Sequence, residues 1–172
     1  HNKLHINKVM AERGTVQYNK MFHNKSKRQE SSQKQIELKE VSIDQITLKN
    51  ISTYLFHDSI PEYSGIINLM LQNFQLSDIK KANDFSRYKL KSIEGNITRI
   101  RMNGNESMYN TSINKLYISS DNQTVIADSI LLIPRYSKYD FSRKAGRQVD
   151  RFSASFPKIS VTGLLFDKLK DS

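Results

Sequence analysis

The sequence predicts an all-β, mostly antiparallel fold: a long, bulged and curved meander sheet forming a groove or a sandwich, with one or two short helices. Three observations carry this expectation. First, apolar residues recur at positions 1, 3, 6 and 8 of an eight-residue window. Leu4-Ile6-Val9-Ala11, Val41-Ile43-Ile46-Leu48, Leu69-Leu71-Phe74-Leu76, Val125-Ala127-Ile130-Leu132 and Ile159-Val161-Leu164-Phe166 are clear copies, and Tyr88-Leu90-Ile93-Gly95 is a weaker one. The two-residue steps are strand periodicity, in which alternate side chains share a face. At about 100° per residue a helix would scatter the same positions around its axis. Second, apolar residues make up 37% of the chain, which suits sheets with one wet face better than a fold buried on both faces. Third, short polar or Gly-containing breaks separate the periodic stretches.

The three-residue step inside each window breaks the alternation by one residue. A β-bulge does this while returning the apolar set to the same face, and so does a tight turn into the next strand. The chain therefore reads as many strands sharing one continuous apolar face. Taken in order, residues 4–22 form two strands around Gly14. Residues 23–34 carry no apolar side chain and read as a polar loop. Residues 35–56 are the strongest strand region, 57–62 a connection, and 65–79 another long strand or strand pair. After a polar connection at 80–87, the stretch from Tyr88 to Met102 is strand-like with a kink or bulge at Gly95. Asn103-Gly104 signals a two-residue turn, because both residues tolerate positive φ. Strands follow near 109–119 and 124–133, separated by Ser120-Asp121-Asn122-Gln123. Ser137 is placed to cap a short helix carrying Tyr139, Phe141 and Ala145, with Gly146 ending it. Residues 150–162 return to strand, and 164–170 has both strand and helix character. At an offset of 32 residues, Leu4-Ile6-Val9-Ala11 also lines up with Ile36-Leu38-Val41-Ile43, as a stacked β unit repeated along an extended sheet would.

With 172 residues the chain is expected to form a single β-rich domain, 1–172. It has no Cys, which excludes disulfides, thiolate metal sites and a thiol nucleophile. The formal net charge is +10, concentrated in two places. Residues 1–40 hold nine Lys or Arg against four Glu; residues 135–151 hold Arg135, Lys138, Arg143, Lys144, Arg147 and Arg151 against Asp140 and Asp150. Such a surface attracts phosphate, on nucleic acid or on lipid headgroups. The longest uninterrupted apolar run is Ile130 to Ile133, far below the roughly 20 residues of a membrane span. The chain begins at His1, and the expectation is a portion of a longer protein anchored to a membrane by an upstream segment.

No catalytic motif stands out. The four histidines, His1, His5, His23 and His57, form no metal-binding pair, and His57-Asp58 is the one candidate half of a catalytic dyad. No nucleophile elbow, phosphate-binding glycine loop or dinucleotide fingerprint occurs, and six glycines leave little backbone to cradle phosphate. Neither a metal nor a cofactor is called for, and no enzyme is expected. Asn-x-Ser/Thr sequons at Asn24, Asn50, Asn96, Asn105, Asn110 and Asn122 are what chance produces in an Asn- and Ser-rich chain. The basic stretch interleaves Tyr136, Tyr139, Phe141 and Phe152, as a single-stranded nucleic-acid binder would. The amphipathic spacing of Lys138 to Ala145 instead makes Phe141 a core anchor, so nucleic acid is the weaker partner.

The segment from Ile130 to Leu169 carries a resemblance. It reads Ile-Leu-Leu-Ile-Pro-Arg-Tyr-Ser-Lys-Tyr-Asp-Phe at 130–141, Arg-Gln-Val-Asp-Arg-Phe at 147–152 and Ile-Ser-Val-Thr-Gly-Leu-Leu-Phe-Asp-Lys-Leu at 159–169. This resembles large envelope proteins of Bacteroidetes related to the AsmA-like group: a strand ending in Pro, a Tyr-Ser-x-Tyr-x-Phe turn, a basic helix, and an Asp-Arg pair opening the next strand. Ile-Thr-Leu-Lys-Asn at 46–50 is similar as well. The chain is much shorter than such proteins. The resemblance implies a periplasmic envelope protein with a taco-shaped β-groove that handles phospholipid or serves outer-membrane homeostasis. It carries over no catalytic residue.

Two functions follow as expectations. In the first, a lipid groove is lined by Leu69, Leu71, Phe74, Leu76, Ile130, Leu132, Ile159 and Val161, with phospholipid or another envelope lipid as partner. In the second, the chain is a structural β module that docks an envelope protein through the basic surface of Arg135, Lys138, Arg143, Lys144, Arg147 and Arg151, or through exposed edge strands.

Overall fold

The computed structural model of the chain describes residues 3–20, 39–57, 59–77, 88–104 and 107–166. The polar loop expected at 23–34, the segment 80–87, the apolar pair Ile36 and Leu38, and residues beyond 166 lie outside the described residues. The strands are β1 (Lys3–Glu12), β2 (Thr15–Lys20), β3 (Glu40–His57), β4 (Ile60–Ser77), β5 (Tyr88–Lys89), β6 (Ser92–Met102), β7 (Tyr109–Ser119), β8 (Thr124–Pro134) and β9 (Ala154–Thr162), with one helix, α1 (Lys138–Ala145), between β8 and β9. They form one mixed, mostly antiparallel sheet in the order β1-β3-β4-β6-β7-β8-β9, with β2 also beside β3 and β5 also beside β4. The sheet does not close on itself, and among the described residues no second sheet faces it.

From β3 onward the sheet neighbours β3-β4-β6-β7-β8-β9 pair antiparallel, as in a meander, and the two-residue β5 is also antiparallel to β4. The N-terminal strands are the exception: β1 and β2 both run parallel to β3. A parallel pair needs a crossover of a dozen or more residues, and the chain from 21 to 39 is long enough to supply one. β1 and β2 behave as one kinked strand, since Lys3 pairs with Glu40 and Lys20 with His57, 37 positions on in both cases. The pairing offset is 37 residues, and of the window matched by the 32-residue repeat Ile36 and Leu38 lie outside the described residues. The partner of Leu4-Ile6-Val9-Ala11 is the other matching window, Val41-Ile43-Ile46-Leu48.

The three-residue steps are aligned irregularities that cross several strands. Pairing skips Asn7 and Asp44 between β1 and β3, then Asp44 and Asn73 between β3 and β4. It skips Arg99 and Asn114 between β6 and β7, Asn114 and Ser129 between β7 and β8, and Ser129 and Pro157 between β8 and β9. Each strand carries its extra residue at the same level, so all strands change phase together and both faces keep their composition. We call these lines creases. Backbone in the left-handed region supports them: Asn73 (φ 49°), Arg99 (54°) and Ser129 (54°) lie on these two creases, and Arg13 (55°) and Asn50 (52°) sit side by side on a third between β1, β2 and β3. Where the third crease stops, the β3–β4 register shifts between Leu48 and Ile51, and the Asn50 N–H donates to Asn68 Oδ1 at 2.9 Å. Where the Arg99 crease stops, the β4–β6 register shifts between Ser64 and Ile66.

Other expectations need correction. Most of the 57–62 connection is strand instead: Ile60 already pairs with His57 and Pro61 with Phe56, and Ser59 holds φ 68°. Asn103-Gly104 does not make a two-residue hairpin; β6 and β7 are joined by residues 103–108, with the Asn103 N–H donating to Glu62 O at 2.9 Å. The last window contains no bulge: its three-residue step spans Gly163 (φ 76°), which turns the chain out of β9. Gly95 is required for close approach, since a Cβ there would lie 2.2 Å from the Asn68 carbonyl oxygen of β4.

Positive φ costs a non-glycine residue about 1–2 kcal/mol, and more when the side chain is β-branched. Ser129 is exposed, so its replacement tests the crease backbone alone. Ser129→Val should lower unfolding stability by about 2 kcal/mol, while Ser129→Gly should hold or raise it. Denaturant midpoints of the two variants check this; equal midpoints would mean that φ at the crease is relaxed.

Candidate functional site

The register assembles the apolar windows into rows that run across the strands. Ala11, Leu48, Leu69, Gly95, Ile118, Val125 and Val161 form one. Ile51, Ile67, Ile97, Leu116, Ala127 and Ile159 form the next. Beyond the Arg99 crease come Ile100, Ile113, Ile130 and Phe156, and then Tyr18, Leu55, Tyr63, Met102, Thr111, Leu132 and Ala154. At the other end lie Val9, Ile46, Leu71 and Ile93, then Ile6, Ile43 and Phe74, then Leu4, Val41, Leu76 and Tyr88. All eight groove candidates therefore share one face. Leu69, Leu71, Phe74 and Leu76 on β4 are separated from Ile130 and Leu132 on β8 and from Ile159 and Val161 on β9 by β6 and β7.

Among the described residues no second layer packs over this face. Among the described residues the fully buried apolar side chains are Ile51, Ile100 and Phe141. The β4 and β8 candidates are half-buried by their own neighbours, whereas Ile159 and Val161 on edge strand β9 are 44% and 47% exposed. Leu4, Val9, Val16 and Tyr18 are exposed on the opposite edge. The opposite face is polar, with rows such as Thr15, Ser52, Ile66, Thr98, Lys115, Asp128 and Lys158.

Helix α1 closes one end of the apolar face. Ser137 accepts from the Asp140 N–H at its N-terminus, and Gly146 (φ 68°) ends it with its N–H donating to Arg143 O at 3.2 Å. Phe141 is 3% exposed and meets Tyr109 edge-on at 5.4 Å between ring centroids, and Phe152 packs on the same Tyr109 ring at 5.3 Å. Tyr139, on the outer side, is 88% exposed. The six basic candidates separate into different roles. Lys138, Arg143 and Arg147 line a shallow depression of about 590 Å³ beside Tyr139. Arg143 also pairs with Asp140 at 2.6 Å. Arg135 Nη1 donates to Gly104 O and Arg151 Nε to Tyr136 O, both at 3.0 Å, so these two guanidiniums hold loop carbonyls. Lys144 is exposed outside the depression.

One group of residues went unsuspected in the sequence. On the polar face, where the Arg99 crease crosses β6, β7 and β8, lies a depression of about 670 Å³. Arg99, Asn114 and Ser129 from the crease line it, with Arg101, Ser64 and Ser112 from the adjoining row. The alternation Arg99-Ile100-Arg101 signals that both guanidiniums leave the sheet opposite to Ile100. The polar groups that join them come from β3, β4, β7 and β8, and only the register shows that.

His57 Nδ1 lies 3.2 Å from Glu62 Oε1 across the turn, and His5 contacts Ser42 and Asp44 at 3.0 and 3.4 Å. Among the described residues no group of three or more His, Cys, Asp and Glu is arranged to hold a metal ion, and no helix is long and apolar enough to cross a membrane. No family model, curated protein or solved structure matches the chain.

Truncating the one side chain that anchors α1 should detach the helix without dissolving the sheet. Phe141→Ala should cost about 3 kcal/mol. Hydrogen exchange should show lost protection across 138–145 and retained protection in β6 and β7. Uniform loss throughout would mean that α1 is integral to the sheet's stability.

Proposed function

We propose that this chain is a non-enzymatic periplasmic β module of the AsmA-like kind, which holds lipid acyl chains against its apolar face and serves lipid transfer or outer-membrane homeostasis. The observation that supports this best is the set of unbroken apolar cross-strand rows left without a covering layer among the described residues. A monomeric soluble protein rarely leaves so large an apolar surface to water unless something binds it. Scale agrees. Seven strands at about 4.8 Å spacing span about 29 Å, close to the roughly 30 Å hydrocarbon core of a bilayer, so a row is longer than one acyl layer. Each methylene moved from water onto such a surface gains up to about 0.8 kcal/mol. The creases keep the rows apolar over the whole length of 18-residue strands such as β3 and β4.

Protein purified gently from a cell envelope should carry phospholipid at defined stoichiometry in native mass spectra. A photocrosslinker at Leu71 or Ile130 should capture lipid, and one at Thr98 or Lys115, on the polar face, should not. A clean apo mass with no capture at either apolar position would make the rows a surface for another protein layer.

A second reading is favoured by the basic depression of α1. Lys138, Arg143 and Arg147 beside exposed Tyr139 suit an acidic envelope protein. Charge reversal at Arg143, Lys144 and Arg147 should then abolish recovery of that partner from envelope extracts; equal recovery by both forms would set this reading aside.

A further inference from the structure

We propose that the depression on the polar face binds an anionic saccharide, a sugar carrying a phosphate or carboxylate group. It lies on the side of the sheet away from the apolar rows and does not rest on the acyl-chain reading.

Arg99 and Arg101 flank Ile100, which is 4% exposed, and all three line the depression together with Ile66 and Ile113. Among the described residues neither guanidinium has an ion-pair partner, and no carboxylate lines the depression. Two like charges two residues apart repel, and an oxyanion placed between them relieves that repulsion. Guanidinium presents a fork of N–H donors that matches the oxygens of phosphate or carboxylate. A strongly charged site with no internal counter-charge therefore selects an anion.

The rest of the lining selects what the anion is attached to. Ser64 and Ser112 stand directly beside Arg101 on β4 and β7, and Asn114 and Ser129 beside Arg99 along the crease. Hydroxyl and amide groups both donate and accept, which suits the hydroxyls of a sugar rather than a hydrocarbon chain. Tyr54 and Leu131, in the same row as Arg101, add the apolar surface that the C–H side of a sugar ring requires. At about 670 Å³ the depression lies within the roughly 300–1,000 Å³ of small-ligand sites.

The test is calorimetric titration of the whole chain with glucose 6-phosphate, glucuronate, inorganic phosphate and unmodified glucose. Glucose 6-phosphate or glucuronate should bind saturably below about 1 mM, with phosphate and glucose each at least about tenfold weaker. Arg101→Gln and Arg99→Asn, the second chosen because Asn tolerates positive φ, should each weaken binding by about tenfold or more. Arg147→Gln, on the α1 depression, should leave it unchanged. No saturation by either anionic sugar, binding of inorganic phosphate as tight as that of the sugar, or binding indifferent to both substitutions in folded variants would overturn the proposal.

Discussion

Side chains on a strand alternate, so one residue too many in a single strand would turn every later side chain to the wrong face. Everything distinctive in this sheet depends on how that constraint is met. Asp44 and Asn73 answer one another across β3 and β4, and Arg99, Asn114, Ser129 and Pro157 do so across β6 to β9. Because the extra residues are matched, 18-residue strands keep one apolar face from end to end. Because some of them adopt positive φ, the matching has a backbone cost, borne by Asn at 50 and 73 at little strain and by Arg and Ser elsewhere at more.

The two faces separate two kinds of chemistry. One presents rows of Leu, Ile, Val and Phe, with helix α1 at one end anchored through Phe141 on Tyr109 and no other helix over it among the described residues. The other presents hydroxyls, amides and charges, and sets among them Arg99 on the crease and Arg101 in the adjoining row, neither with an ion-pair partner among the described residues. A crease thus serves both faces. It preserves apolar continuity on one, and on the other it inserts side chains at a level where no cross-strand partner competes for them.

Much of this was legible in the sequence, for a physical reason: the period of a strand and the phase slip of a bulge are both local. Leu69-Leu71-Phe74-Leu76 and Val125-Ala127-Ile130-Leu132 locate Asn73 and Ser129 to within the three-residue step. The Ser137 cap, the Gly146 terminus and the buried Phe141 are likewise local signals. What involved a partner strand was not legible. The parallel run of β1 and β2 against β3 depends on which of two similar windows pairs with the first, and composition does not choose between them. The convergence of Arg99 and Arg101 with Ser64, Ser112 and Ser129 is a property of register. So is the use of Arg135 and Arg151 to hold loop carbonyls rather than to form a free basic surface. Asn103-Gly104 carries a strong turn signal, yet the chain continues to residue 108 before pairing again.

The creases obey a conservation rule familiar from dislocations in crystals: such a line runs to an edge or a gap in the lattice, or ends where the lattice itself slips. The Asn7 line begins at edge strand β1 and reaches the gap between β5 and β6; the Arg99 line leaves through edge strand β9 and ends inward at the β4–β6 register shift. Single-residue insertions and deletions in these strands are therefore not independent events. Losing one residue near Asn114 leaves its neighbours on β6 and β8 with unmatched extras, and the defect heals only if both lose one too. Length variation in such a sheet should be inherited in sets, one residue per strand along a whole line, and any strand that extends the sheet beyond β9 must arrive with its own extra residue opposite Pro157.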